Sequence, residues 1–278
     1  MINEEDFLRS LDEVIDEKDK IIVIYSGLWT FIHNINFKIK NINNIPIKIL
    51  DLIQHKIGKK RTLILPSFSG IQFHNQKKIF DIKKTIDKNN GLLPLIALNR
   101  NYYRTNNPIH SYLIYGYKED IKKQKFISSW GTDSILEYFA QNKVRICNLG
   151  LPWNAGCAYL HRFEEIYEVP WRFYKTFNGK LKKNDKIIGN CFEKKFCTSL
   201  KTPPLLDYKP FIKEIENAKS FKKSSNKFLK LESIKTSCLD KIGKKIFDLN
   251  PWIIVKNKRQ TRNWIKKSKK QEVNNISK

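Results

Sequence analysis

The sequence predicts an α/β fold: a mixed central sheet flanked by helices, with an added antiparallel hairpin near 171–191. Three observations carry this expectation. Continuous apolar runs of strand length, rich in β-branched residues, recur at 21–25, 62–66 and 144–150, as in strands covered on both faces. Amphipathic helical patterns fall between them, notably at 45–57 and 133–142, and buried strands alternating with such helices mark a layered α/β protein. At 171–177 the period changes to strict apolar/polar alternation, which reads as a strand with one exposed face.

Each element has its own reason. Phe7, Leu8, Leu11, Val14 and Ile15 recur at helical spacing behind an acidic start, so the first twenty residues form an amphipathic helix that Lys20 ends. The small residues Ser26 and Gly27 close the first strand, where exposed backbone N–H groups suit an oxyanion or a phosphate. A polar segment from Arg104 through Pro108 and His110 leads into an apolar strand ending at Gly116. Its His and Ser either line a site at the sheet edge or cap their own loop. After the third strand, His161 lies one helical turn before Glu164 and Glu165. A carboxylate on one ring nitrogen leaves the other more basic, which suits a general base, although such pairs also occur on ordinary surface helices. In the hairpin, Asn178-Gly179 is a turn dipeptide and 181–188 the returning strand. Helical patterns resume at 208–221 and 233–249. No repeat and no Gly/Ser-rich linker interrupts the chain, so 1–255 is expected to form one domain, followed at 256–278 by a basic C-terminal tail, mobile or loosely docked as a helix.

Composition narrows the function. With 278 residues and 41% apolar residues, the chain is a folded globular protein long enough for a sizeable core, which excludes general disorder and disulfide miniproteins. Its 53 Lys+Arg against 27 Asp+Glu leave a net charge of +26 and favour anionic partners, although Lys, Ile and Asn crowd the whole chain and most lysines are solvated surface. Five cysteines show no CxxC pair and no zinc-like spacing, so no metal site is expected. The acidic start and the short, interrupted apolar run at 21–32 fit neither an export signal nor a membrane span, and a cytoplasmic protein is expected. Gly58-Lys-Lys and Gly243-Lys-Lys lack the rest of a phosphate loop, no GxGxxG follows a strand, and no GxSxG elbow is present. A basic chain with 17 Phe, 11 Tyr and 6 Trp also suits a nucleic-acid-binding protein, but no RNP-like strand, helix-turn-helix or zinc finger is visible, and no specific nucleic acid is expected.

Taken in order, the segments resemble the antibiotic N-acetyltransferase family, whose founding members are aminoglycoside 3-N-acetyltransferases. The resemblance runs from Tyr25-Ser26-Gly27 through Thr62-Leu-Ile-Leu-Pro66-Ser-Phe-Ser69, Phe80-Asp81, Arg104-Thr105 with Pro108 and Ser111, and Gly131-Thr-Asp-Ser134. It continues through Asn148-Leu-Gly150, His161, Glu164, Val169-Pro170-Trp-Arg172, Lys175, Phe177 and Gly179, covering roughly 20–255. It implies an acyl-CoA-dependent N-acyltransferase acting on the primary amine of an amino sugar, with coenzyme A as co-substrate and no metal. His161 and Glu164 fall on the family's active-site His and acidic residue, and Ser26, with Gly27 beside it, falls near the thioester end of the acyl-CoA site. Arg104, Thr105, Asn107, His110 and Ser111 belong to the loop expected to bind the acceptor. This chain departs from the family pattern at Ala158, Arg162 and Asn107, where a Thr, a Tyr and often a His are usual. The positive charge and Asn107 favour a nucleotide-linked amino sugar for surface-polysaccharide synthesis as acceptor, ahead of an aminoglycoside. A homo-oligomer is compatible with all of this.

Overall fold

Helix α1 (Glu4–Val14) begins at a capping box in which the Asn3 side chain and the Asp6 carboxylate accept from each other's backbone N–H, and it buries Phe7, Leu11 and Val14. There follow β1 (Ile21–Ser26), α2 (Ile45–Ile57), β2 (Thr62–Pro66), α3 (Gln72–Asn75), β3 (Ile79–Asp81), α4 (Leu92–Leu98), β4 (Tyr103–Arg104), β5 (Tyr112–Gly116) and α5 (Glu119–Lys123). Next come α6 (Ile135–Gln141), β6 (Arg145–Leu149), α7 (Trp153–Gly156), α8 (Leu160–Ile166), β7 (Arg172–Lys183) and β8 (Lys186–Thr198). The last elements are α9 (Lys209–Glu216), β9 (Lys222–Lys223), β10 (Leu231–Lys235), α10 (Thr236–Leu249) and α11 (Lys258–Ile276). This structure is a computed structural model that describes residues 1–117, 119–198 and 203–276.

Seven strands form the main sheet in the order β4-β5-β2-β1-β6-β10-β9. Its centre is parallel, with β1 between β2 and β6, while β5 and β10 run antiparallel outside them. The sheet is therefore mixed. Because successive side chains of a strand point to opposite faces, β1 feeds two cores. Ile22 and Ile24 pack with Phe7, Leu11, Ile49 and Ile53 from α1 and α2. Ile21, Val23 and Tyr25 pack with Phe139, Phe163, Phe211 and Phe247 from α6, α8, α9 and α10. That double burial is why the β1 sequence is apolar throughout, and it makes the central strands the rigid part of the fold.

The hairpin is present but differs from expectation in two ways. It spans Arg172–Lys183 and Lys186–Thr198 and joins β3 in a separate three-stranded sheet instead of extending the main one. It also turns at Asn184-Asp185, both left-handed at φ 48° and 60°, and not at Asn178-Gly179. Gly179 lies in mid-strand because a Cβ there would overlap the Lys78 carbonyl oxygen and press on the Phe73 ring. Gly179→Ala should therefore cost about 1–3 kcal/mol of stability, read as a lowered denaturation midpoint. An unchanged midpoint would show that β3 and Phe73 give way freely.

Two helices are shorter than expected. Residues 233–235 pair with β6 as the end of β10, so α10 starts only at Thr236, and α9 covers Lys209–Glu216 of the expected 208–221. The basic C-terminal segment is a docked helix in its first turns: Thr261 is buried and the Arg262 guanidinium lies 4.8 Å from the Trp252 ring centroid. Ser277 and Lys278 lie outside the described residues. Among the described residues no helix is long and apolar enough to cross a membrane.

Candidate active site

The parallel strands β2, β1 and β6 end at Pro66, Ser26 and Leu149, and beyond those ends opens a cleft of about 1440 Å³. The carboxyl ends of parallel strands are where open α/β sheets place ligands. At this volume the cleft exceeds the roughly 300–1,000 Å³ of a single small-molecule site. Tyr25, Ser26 and Pro66 come from the strand ends, His110 from the segment before β5, His161 from α8, and Arg172, Lys175 and Lys195 from the hairpin. Two sheets thus wall one cleft.

His161 is the most organised group in it. Helix α8 brings Glu164 one turn after His161, and His161 Nδ1 donates to Glu164 Oε1 at 2.8 Å. Glu164 has no exposed surface and is held from four directions. Arg172 Nε donates to Oε2 at 2.7 Å, a second guanidinium nitrogen to Oε1 at 2.9 Å, Trp171 Nε1 to Oε2 at 3.0 Å, and the Tyr208 hydroxyl to Oε1 at 2.8 Å. Burial alone would raise this carboxyl, but the His161 hydrogen bond and the Arg172 charge outweigh it and hold the pKa well below the usual carboxylate range. Glu164 is therefore an anion that fixes the ring tautomer and leaves Nε2 as the nitrogen free to accept a proton. The Trp130 ring stacks on the imidazole with centroids 4.7 Å apart. Burial, with the Arg172 and Lys195 charges and against the pull of Glu164, lowers the His161 pKa, so the ring is neutral at neutral pH. The sequence left Glu164 and Glu165 open as partners. Glu165 faces away and accepts from the Ser128 hydroxyl.

The other expected site residues divide. Ser26 and His110 line the cleft, and the Ser26 hydroxyl is buried with no hydrogen-bond partner among the described residues. Gly27 does not offer a free donor: its N–H is taken by the Leu149 carbonyl at 2.8 Å, because the chain leaving β1 still pairs with β6. Arg104, Thr105, Asn107 and Ser111 do not line the cleft. The Arg104 guanidinium is buried and ties together the Ser67, Ile82 and Thr85 carbonyls and the Ser111 hydroxyl. Thr105 Oγ1 accepts from Tyr112 N, and Asn107 Nδ2 donates to the Phe126 carbonyl. These residues build the loop and carry His110. Cys157 lines the cleft, but burial pushes its thiol up to about 12, which leaves no thiolate nucleophile near neutral pH.

Charge in the cleft is one-sided. Lys88, Arg172, Lys175 and Lys195 line it together with three histidines, and among the described residues no Asp or Glu does. Sequence reading missed several contributors. Trp130 and Glu193 showed no motif, and Tyr208 reaches Glu164 across 44 residues of chain. Arg172 was visible only as part of the Val169-Pro170-Trp-Arg172 run. Among the described residues no group of three or more His, Cys, Asp or Glu could hold a metal ion.

A strand-end cleft presenting an imidazole backed by a buried carboxylate belongs, by class, to an α/β enzyme. Comparison with known proteins makes the class particular: the family model described as Aminoglycoside 3-N-acetyltransferase matches residues 31–239, so the chain belongs to that family and is an N-acetyltransferase. Solved structures agree in fold. The YokD protein from Bacillus subtilis superposes with TM-score 0.69 at 12% identity, over 90% of this chain and 94% of that one. The apoenzyme of aminoglycoside acetyltransferase AAC(3)-IVa superposes with TM-score 0.70 at 13% identity, over 94% and 97%. A binary complex of AAC-IIIb with CoASH gives 0.69 at 13% identity, over 88% and 96%. No curated protein matches the chain.

Proposed function

We propose that the protein transfers an acetyl group from acetyl-CoA to a primary amine of an amino sugar, with His161 as general base and Glu164 as the residue that positions it. The observation that carries this reading is the His161–Glu164 pair opening into a cleft large enough for both substrates. His161 Nε2 takes a proton from the amine as its nitrogen bonds to the thioester carbonyl carbon. The tetrahedral intermediate then expels the thiolate, and the imidazolium returns the proton to sulfur. The unpartnered Ser26 hydroxyl beside the strand end is suited to donate to the carbonyl oxygen as it becomes negative. Residues 1–255 act as one acyltransferase domain, with the segment from Lys256 as a basic extension whose Trp264 reaches the cleft.

An aminoglycoside is the acceptor that the family match backs better. A second reading, a nucleotide-linked amino sugar, is favoured by one observation: among the described residues Lys88, Lys175 and Lys195 line the cleft beside the Glu164-paired Arg172 and no carboxylate does, which suits an anion better than a polycation. Thiol release from acetyl-CoA, measured against kanamycin and a nucleoside-diphosphate amino sugar, tests both. We expect release with an amine acceptor; a higher kcat/KM for the sugar nucleotide than for kanamycin would move the assignment to the second reading.

A further inference from the structure

Acetylation of an ammonium has a proton balance that a single imidazole does not close. The ammonium must lose one proton before its nitrogen has a lone pair, and the nitrogen loses a second during or after attack. Only one proton leaves on sulfur as the free thiol of coenzyme A, and the other goes to solvent. If His161 carries the second proton from nitrogen to sulfur, the first needs a different acceptor.

A second imidazole lines the cleft beside the same Trp130 ring. His110 Nδ1 donates to Glu193 Oε1 at 2.7 Å, and Glu193 is fully buried, accepting also from the Ile109 and His110 N–H groups and from the Ser129 hydroxyl. That carboxylate fixes the His110 tautomer as Glu164 fixes that of His161, leaving Nε2 as acceptor. The Trp130 ring lies between the two imidazoles, 5.4 Å from His110 and 4.7 Å from His161. The groups facing His110 are Glu193 and Lys195 from β8, His161 from α8, and Ser129, with the Phe68 ring edge-on at 5.0 Å. Burial first, then the Lys195 charge, lower the His110 pKa against the raising effect of Glu193, so the ring is neutral at neutral pH. Nothing in the mechanism above uses it.

We propose that His110, held by Glu193, is the base that accepts the first proton from the acceptor's ammonium and passes it to solvent, while His161 handles the proton that ends on sulfur. This rests on the acetyltransfer reading. The test is the pH dependence of kcat/KM with kanamycin and acetyl-CoA, in wild type, His110→Asn and His161→Ala. Near pH 6, where the amine is protonated, His110→Asn should lose about 100-fold. The loss should shrink to under about 5-fold at pH 9, where solution has already deprotonated most of the amine. His161→Ala should stay impaired across the whole range. A structural role for His110 would depress the rate by one factor at every pH; that result, or no loss at pH 6, overturns the proposal. Circular dichroism of each variant at each pH gives the folded fraction by which its rate is divided, since the stability of a chain that lacks this ionisable pair itself changes with pH. Glu193→Gln, which keeps the shape of the pair, should show a weaker form of the same pH-dependent loss, and a uniform loss there also counts against it. If wild-type protein shows no amine-dependent thiol release at any pH, the acetyltransfer reading itself is overturned, and this inference with it.

Discussion

Replacing His161 with alanine should lower kcat by about 100-fold or more while leaving acetyl-CoA affinity nearly unchanged, since a positioned base contributes roughly 10²–10⁴ in rate. The basis is geometric. His161 is the one imidazole whose Nδ1 is fixed by a carboxylate that is itself held by Arg172, Trp171 and Tyr208, so its ring has a defined tautomer and little freedom. Steady-state rates together with calorimetric titration of acetyl-CoA separate the two quantities. Near wild-type turnover would remove His161 from the reaction.

Glu164→Gln should have the second largest effect, on both rate and stability. Its carboxylate and Arg172 form a buried ion pair, with Arg172 only 5% exposed and Glu164 not at all. Removing one partner of such a pair leaves an uncompensated charge and costs about 3–5 kcal/mol, which in a chain of this size lowers Tm by on the order of 10 °C. The amide also no longer discriminates the His161 tautomer, so turnover falls as well. The pH sense follows from the lowered pKa of Glu164. Its contribution is present above the ordinary carboxyl value of about 4.5 and is lost as pH falls through the lower folded value. The stability gap between wild type and variant should therefore be widest near neutrality and narrow in acid. A gap of equal size at neutral and strongly acid pH would show that the effect is packing and not charge.

Much of this was legible in the chain. The 45–57 helix and the 62–66 strand appear with those bounds, because burial on a defined face imprints its period on local sequence. The contact of His161 with Glu164 was half legible: both lie on one helical turn, but the spacing left Glu165 equally open and only the family resemblance pointed to Glu164. What was not legible depends on contacts distant in sequence. Glu193 sits in a strand 83 residues from His110, and nothing near either residue announces the other. Arg104 shows the opposite failure. The family resemblance placed it on the acceptor-binding loop, yet its guanidinium serves four acceptors of the scaffold. The Asn178-Gly179 dipeptide misled for a third reason: glycine answers a crowded neighbour as readily as a tight turn.

The stack of Trp130 on His161, 4.7 Å between centroids and 28° from parallel, gives the site an optical property. An indole in contact with an imidazole is quenched more strongly when that imidazole carries a proton, so the emission of Trp130 follows the charge of the ring beneath it. Five other tryptophans share the chain, and the difference between wild type and Trp130→Phe isolates this one. Because the His110 ring lies 5.4 Å from the same indole, the titration is repeated in His110→Asn, and the transition that remains reads the charge of His161 without any substrate present.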